Sequence, residues 1–93
     1  IGLPLALALG EKYQAKGFDI DTLKIERLAE DISFSNLSFT NNVNALSNCN
    51  IFIIAVSTSV DGDGKPDLHH LLTATRSIAP LLKKDDLIIY INF

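Results

Sequence analysis

Two apolar runs rich in β-branched residues, at positions 51–56 and 87–91, constrain the fold more than any other feature of this chain. Each run is short and has no polar face, which is typical of a strand covered on both sides in a parallel sheet. Between them, the apolar residues of segment 66–84 recur near the helical period, although Pro80 should break or kink that helix near its last turns. A strand, a helix and a second strand in succession predict a right-handed crossover between parallel strands.

The first half of the chain shows the same alternation of periods. The pattern predicts helices over 3–13 and 22–30, short strands over 14–19 and 37–40, and at most one helical turn over 43–46. The first helix is apolar nearly all round and should be buried, whereas the second has a narrower apolar stripe. Strands that alternate with helices predict one α/β domain over residues 1–93 with a mainly parallel sheet.

Composition and charge exclude several classes of function. Hydrophobic side chains make up 47% of the 93 residues, which suits a buried core, and the net charge of −3 lacks the basic face that nucleic-acid binding requires. No apolar run approaches the roughly 20 residues that cross a bilayer. The single cysteine, Cys49, cannot form an internal disulfide, so we expect a cytoplasmic protein without a nucleic-acid or membrane partner. Because the chain begins at Ile1 and contains no methionine, we also expect it to be a fragment.

Gly2 and Asp19 mark a candidate nucleotide-binding edge. Gly2 immediately precedes the first predicted helix, where free backbone N–H groups attract phosphate, although glycine is also common there for structural reasons. Asp19 closes the next predicted strand 17 positions later (19 − 2), near where dinucleotide-binding folds place an acid for the adenosine ribose. Asp19 could instead be a solvated strand end or a helix cap, but Asp21 is an equally suitable cap for the second helix.

Several stretches, in the same order and at similar spacing, resemble one family of dehydrogenases. They are Gly-Leu-Pro-Leu-Ala from position 2, Gly-Phe-Asp-Ile-Asp over 17–21, the strand and loop over 53–61, Pro-Asp-Leu over 66–68, and the approach to the last strand over 82–90. The chain is identified from them as similar to the NAD-binding domain of the UDP-glucose/GDP-mannose dehydrogenases. It is most similar to the branch that oxidises UDP-N-acetylhexosamines for polysaccharide synthesis.

The resemblance implies a fold, a cofactor and a reaction. It implies a Rossmann-type α/β fold, doubly wound with a mainly parallel sheet, that binds NAD. Members of the family oxidise the C6 alcohol of a UDP-sugar to the uronate in two NAD-dependent steps, and they commonly form homo-oligomers. Their cysteine nucleophile lies in a later domain, so Cys49 is expected to be a half-buried structural residue.

The resemblance also implies seven cofactor-binding residues. They are Gly2, Leu3, Asp19, Lys24, Val56, Ser57 and Thr58. The first two begin the opening helix as the end of a G-x-G-x-x-G fingerprint, and the next two face the adenosine ribose. The last three lie at and after the end of the fourth strand of the family fold. Structural alternatives remain for three of them, because Lys24 could be a solvated helix charge, Thr58 a strand cap and Val56 a core residue.

Four departures from the family pattern predict an incomplete copy. The first strand and the first two fingerprint glycines are absent, the connection at 30–34 is short, Ser57 and Ser59 replace two prolines, and the segment 91–93 lacks a Glu-Ser-Thr run. Without the central first strand, the second and fourth strands would each face a gap of roughly 9–10 Å. We therefore expect an incomplete Rossmann fold that is inactive alone and binds NAD weakly or not at all.

Other possible sites have simpler structural explanations. His69 and His70 are adjacent, so they point in different directions on a helix and lack further metal ligands at suitable spacing. The loop that contains Asp61 and Asp63 lacks the full ligand set of a calcium site. Two alternatives to the nucleotide-sugar reaction remain open: a hydroxyacid dehydrogenase with a similar cofactor domain, and a non-enzymatic remnant or module that pairs with another chain through open sheet edges.

Overall fold

The computed structural model describes residues 2–31, 36–56 and 59–92, which form two compact units, Ile1–Leu46 and Ser47–Phe93. Each unit contains a pair of parallel strands with helical packing against it. Among the described residues no helix is both long and apolar enough to cross a membrane.

The first unit contains two helices, two strands and one 3₁₀ turn. In chain order these are α1 (Gly2–Gly10), β1 (Ala15–Phe18), α2 (Thr22–Asp31), β2 (Leu37–Thr40) and the 3₁₀ turn Val43–Leu46. The strands are parallel, with Ala15 opposite Leu37 and Phe18 opposite Thr40. Helix α1 packs on both strands and α2 packs on β2. The buried side chains here are Ile25, Leu37 and Leu46, of which Ile25 comes from the predicted apolar stripe of α2. The prediction that α1 is buried was wrong, because Leu3 is 37% exposed and, of positions 3–10, Gly10 alone is buried.

Helix α1 ends earlier than its apolar pattern predicted. The helix stops at Gly10, and the N–H groups of Lys12 and Tyr13 both bond to the carbonyl of Leu9 as the chain turns. Gly10 is buried, and a β-carbon there would lie 3.0 Å from Cβ of Leu37. An alanine here would require Leu37 to shift by a few tenths of an ångström, so the close packing of helix against strand favours glycine.

The second unit contains a parallel strand pair, a helix and a hairpin. Its elements are β3 (Ile51–Val56), β4 (Ser59–Val60), β5 (Pro66–Asp67), α3 (His69–Ile78), the 3₁₀ turn Ala79–Leu81 and β6 (Leu87–Asn92). The two long strands run parallel in register from Ile51 opposite Leu87 to Val56 opposite Asn92. This pairing confirms both strands and the crossover predicted between them.

Helix α3 packs on β3 and is joined to β6 by a hydrogen bond between side chains. The buried residues of this unit, Phe52, Ile54 and Ile78, come from both elements. The hydroxyl of Thr75 donates to the carbonyl of Leu71 at 2.8 Å and lies 3.0 Å from the hydroxyl of Tyr90. Because a threonine has only one hydroxyl proton, Tyr90 is the donor to Thr75.

The predicted helix over 66–84 was wrong at both bounds, and only the break expected near Pro80 is confirmed. Pro66 and Asp67 pair with Val60 and Ser59 in an antiparallel hairpin instead of forming the first helical turn. The N-cap position of α3 is Leu68, and just before it the carboxylate of Asp67 accepts the N–H of His69 at 2.9 Å. At the other end α3 stops at Ile78 and the chain continues as a 3₁₀ turn that contains Pro80.

The strands of the described residues do not form one continuous sheet. β1 pairs with β2, β3 pairs with β6, and the short hairpin forms a third, separate sheet. In the strand numbering of the doubly wound fold, the two parallel pairs correspond to strands two with three and four with five. The short connection predicted at 30–34 lies mostly outside the described residues.

Candidate cofactor-binding site

An ion pair lies at the carboxyl end of β1, where the first unit was expected to bind a nucleotide. Asp19 directly follows the strand, and its N–H bonds to the carbonyl of Thr40 at 3.2 Å, so the ladder with β2 extends one residue further. One carboxylate oxygen of Asp19 accepts the N–H of Asp21 at 3.0 Å. The other lies 3.1 Å from the ammonium of Lys24. Both predicted ribose-facing residues are therefore in direct contact.

The start of α2 places Lys24 beside Asp19. The carboxylate of Asp21 accepts the backbone N–H of Lys24 at 3.2 Å, and the carbonyl of Asp21 accepts the N–H of Ile25 at 3.1 Å. This is an N-terminal cap, as the Asp21 prediction required, and it stabilises the first helical turn. Long side chains in a helix lean towards its N-terminus, which directs the Lys24 side chain back to the strand end.

The carboxyl group of Asp19 is anionic at neutral pH. Partial burial opposes its ionisation, but the backbone N–H of Asp21, the ammonium of Lys24 and the backbone N–H of Ile20 together hold its pKa below the ordinary value. The side chain of Asp19 is 34% exposed and that of Lys24 is 57% exposed. An acceptor and a donor are therefore held side by side and remain accessible to a ligand.

An open cleft of about 430 Å³ runs along α2 beside this pair. It is lined by Asp21, Leu23, Lys24, Arg27 and Leu28, so acidic, basic and aliphatic groups share it. Next to the ion pair, Ile20 and Leu23 are largely exposed, with exposed fractions of 82% and 65%.

The sequence analysis did not single out Arg27. The signal that could have found it is the i, i+3 spacing from Lys24, which places both cations on one side of the helix.

The remaining predicted cofactor residues are distributed over both units. Gly2 is the first residue of α1, and Leu3 follows it with 37% of its surface exposed. Val56 is the last residue of β3 and is half-buried. Ser57 and Thr58 lie outside the described residues. Of the seven, the structure brings Asp19 and Lys24 into contact with each other. All seven assignments to the cofactor remain predictions.

The adjacent histidines and the aspartate-containing loop make local contacts within their own segments. The rings of His69 and His70 lie edge to face at 5.7 Å on the exposed first turn of α3. Asp61 uses one carboxylate oxygen to accept the N–H groups of Asp63 and Lys65 in a tight turn. Within the ranges that the structure covers, no group of three or more His, Cys, Asp or Glu side chains could hold a metal ion.

A family model matches most of this chain. The NAD-binding domain of the UDP-glucose/GDP-mannose dehydrogenases matches residues 26–91. The chain belongs to the UDP-glucose/GDP-mannose dehydrogenase family. The matched domain is the NAD-binding one, so NAD is the cofactor, as predicted.

The relatives that match this chain include dehydrogenases of UDP-N-acetylhexosamines. The UDP-N-acetyl-D-glucosamine 6-dehydrogenase of Pseudomonas aeruginosa is 40% identical over 102 residues, which cover 97% of this chain and 24% of that protein. A UDP-N-acetyl-D-glucosamine 6-dehydrogenase of Salmonella typhi is 28% identical over 102 residues, again 97% of this chain and 24% of that protein. The chain thus spans about a quarter of the length of these curated relatives.

A solved structure confirms the fold class. The UDP-D-ManNAc dehydrogenase of Pyrococcus horikoshii matches with a TM-score of 0.92 and 28% identity, over 99% of this chain and 26% of that one. The prediction of an incomplete Rossmann-type α/β fold is confirmed by this match together with the separate parallel pairs.

Proposed function

We propose that this chain is the part of an NAD-dependent nucleotide-sugar dehydrogenase that holds the adenosine end of the cofactor. The observation that supports this proposal best is the ion pair of Asp19 and Lys24 at the end of β1. In dinucleotide-binding folds an acid at this strand end binds the hydroxyls of the adenosine ribose. The intact protein would oxidise the C6 alcohol of a UDP-N-acetylhexosamine to the uronate, for use in polysaccharide synthesis.

The chemistry of the pair suits a vicinal diol. Each ribose hydroxyl can donate one hydrogen bond and accept others. A carboxylate is an acceptor and an ammonium is a donor, and here the two lie 3.1 Å apart and accessible. One hydroxyl can therefore donate to Asp19 while its neighbour accepts from Lys24, with both bonds strengthened by charge.

The other cofactor contacts are assigned by position in the family fold. Gly2 and Leu3 begin α1, whose free N–H groups and positive end of the dipole suit the pyrophosphate. Val56, Ser57 and Thr58, at and after the end of β3, would contact the cofactor beyond the fourth family strand. We assign no catalytic residue to the chain, because the cysteine nucleophile of the family belongs to a later domain.

The overall reaction consumes two equivalents of oxidant. NAD, when bound, accepts a hydride from the substrate carbon. Conversion of a primary alcohol to a carboxylate removes two hydrides, so two NAD molecules are reduced and one water supplies the second carboxylate oxygen. We further propose that the intact protein is cytoplasmic, where NAD and UDP-sugars are available, and that it is a homo-oligomer.

Titration of the ¹⁵N-labelled chain with NAD, followed by NMR, tests the proposed function. We expect shifts at the amides of Gly2, Leu3, Asp19 and Lys24 and a Kd weaker than about 1 mM, which corresponds to about −4 kcal/mol. Nicotinamide mononucleotide, which lacks the adenosine half, should leave the Asp19 and Lys24 amides unchanged.

A matched pair of variants makes this test specific. Lys24→Gln should weaken NAD binding about threefold to tenfold, as the loss of a partly exposed charged hydrogen bond does. Lys12→Gln removes an equal charge from an exposed turn outside the proposed site and should leave the affinity unchanged. Equal effects of the two substitutions, or NAD-induced shifts confined to other residues, would refute the proposed site.

A further inference from the structure

The end of β2 is bonded to both elements of the proposed ribose site. The carbonyl of Thr40, the last residue of the strand, accepts the N–H of Asp19 at 3.2 Å. The next residue, Asn41, donates from its side-chain amide to the hydroxyl of Thr22 at 3.0 Å. Thr22 is the first residue of α2 and precedes Lys24 by two positions (24 − 22). Two adjacent residues therefore connect the strand end that carries Asp19 to the helix start that carries Lys24.

The polar side chains on either side of Asn41 stabilise the local turn instead. The hydroxyl of Thr40 accepts the N–H of Asn42 at 3.0 Å, and the side-chain oxygen of Asn42 accepts the N–H of Asn44 at 3.1 Å. Bonds of this short range hold the turn in which they lie. The bond from Asn41 spans 19 positions and joins two elements that pack on each other, so it bears on how α2 is placed against β2.

The Asp21 cap shapes the first turn of α2 but does not determine where the helix lies. Its carboxylate accepts the N–H of Lys24 at 3.2 Å, so this bond belongs to the helix start itself. The side chain of Lys24 is 57% exposed, and a lysine in water has many rotamers. A bond from α2 to a strand end that is already bonded to Asp19 limits how far the ammonium can move from the carboxylate.

We propose that Asn41 is a positioning residue for the adenosine ribose, because its bond to Thr22 fixes the start of α2 against the ends of β1 and β2 and thereby keeps Lys24 beside Asp19. This inference rests on the proposed function, since it assumes that the ribose lies at this ion pair. Asn41 acts through Thr22 and is not required to touch the ligand. Such preorganisation raises affinity because the ligand does not have to order the pair when it binds.

Titration of the 93-residue chain with 5′-AMP, followed by NMR, tests the proposal. Asn41→Ala should weaken binding about twofold to fivefold, the effect of one lost hydrogen bond between neutral groups. Thr22→Val removes the acceptor of the same bond and should have an equal effect. The double variant should bind no more weakly than either single variant, because both lose one shared interaction. Thr22→Ser retains the hydroxyl and should restore the wild-type affinity.

Asn36→Ala is the matched control for Asn41→Ala. The side-chain amide of Gln14 donates to the side-chain oxygen of Asn36 at 3.2 Å, at the opposite end of the same strand pair. Both bonds are exposed and join two side chains, over 22 and 19 positions respectively. Asn36→Ala should therefore lower the urea midpoint of unfolding about as much as Asn41→Ala does, while the affinity for 5′-AMP stays unchanged.

The pKa of Asp19 provides a measurement that needs no ligand. The ammonium of Lys24 is one of the groups that hold this pKa below its ordinary value. If Asn41→Ala lets Lys24 move away, the pKa of Asp19 should rise towards the ordinary value, whereas Asn36→Ala should leave it unchanged. Carboxyl ¹³C NMR during an acid titration measures both variants.

The outcomes separate this inference from the proposed function. Absence of 5′-AMP-induced shifts at Asp19 and Lys24 in the wild type would contradict the ribose site itself. Wild-type binding, with the same affinity and the same Asp19 pKa in Asn41→Ala and Asn36→Ala, would overturn the positioning role alone. Equal losses of affinity in these two variants would also overturn it, because they would show a general loss of stability.

Discussion

A β-carbon on Gly17 would lie 2.7 Å from Cδ1 of Phe39, because the aromatic ring covers the backbone of the paired strand. Real β-carbons do not approach a neighbour so closely, so an alanine there would require the half-buried ring to move. We expect Gly17→Ala to lower the free energy of unfolding by about 1–3 kcal/mol, the usual cost of overpacking. Urea unfolding followed by circular dichroism measures it.

Gly62→Ala is the matched control for this substitution. A β-carbon at Gly62 would meet no atom within 4 Å, and the residue lies in an exposed loop. The free energy of unfolding of the Gly62→Ala variant should differ from that of the wild type by no more than about 0.5 kcal/mol. If the two alanine variants were equally stable, the close approach of Phe39 to the β1 backbone would be incorrect.

The ion pair of Asp19 gives a prediction about pH. Since the pKa of this carboxyl is lower in the folded chain than its ordinary value of 3.8, its contribution to stability is present above that value. The contribution is lost as the pH falls through the folded pKa. We expect Asp19→Asn to lower the free energy of unfolding at pH 7 by about 0.2–1 kcal/mol, as for other exposed ion pairs.

The difference between wild type and Asp19→Asn should decrease at acidic pH. Urea unfolding at pH 7, 4 and 2.5 measures this difference, which should be smallest at the lowest pH. A difference of the same size at pH 7 and 2.5 would show that the variant loses packing or hydrogen bonding, and not the charge interaction with Lys24. High salt at pH 7 should also reduce the difference.

Asp85 adopts a left-handed backbone conformation, with φ of 72°, in the turn that precedes β6. Aspartate tolerates this region better than most residues do. Glycine adopts it without steric strain, whereas β-branched residues are strained there. We therefore expect Asp85→Gly to be neutral or slightly stabilising and Asp85→Val to cost about 1–3 kcal/mol. Thermal unfolding of the variants measures these costs. Asp63→Val, at an exposed loop position outside this backbone region, should cost less than Asp85→Val.

Much of the fold was predictable because its signals are local. The uncharged runs that form β3 and β6 and the stripe of α2 depend only on neighbouring residues, and the structure confirms them. The hairpin of β4 and β5 was missed because its pairing joins Ser59 to Asp67 across a loop, and Pro66 is equally suited to a helix start. Long-range pairing of this kind leaves no periodic signal in the sequence.

The candidate site was predictable only in part. Asp19 was predicted from its place at a strand end and Lys24 from the family resemblance, and the structure shows that their side chains are in contact. Position 17 requires glycine because of Phe39, which lies 22 positions away in sequence. The periodicity of the sequence does not reveal this contact. The exposure of Ile20 and the cleft beside Arg27 depend on how α2 packs, which the pattern of one helix does not determine.

Burial within β3 alternates, and this gives a test of the parallel pair itself. Ile54 is 6% exposed on the face that packs on α3, whereas Ile51 on the same strand is 53% exposed. Ile→Val removes the same methylene at both positions, so the strand propensity changes equally. We expect Ile54→Val to lower the free energy of unfolding by about 0.5–1.5 kcal/mol, because the buried site loses contacts and retains a small cavity.

Ile51→Val should lower the free energy of unfolding by no more than about 0.5 kcal/mol, because water already contacts much of that side chain. Urea unfolding of both variants, with unchanged slopes, gives the comparison directly. If the exposed substitution cost as much as the buried one, the face that carries Ile51 would have to be covered, and the assignment of inner and outer faces to β3 would be incorrect. If Ile54→Val were neutral, α3 would not pack on this strand as described.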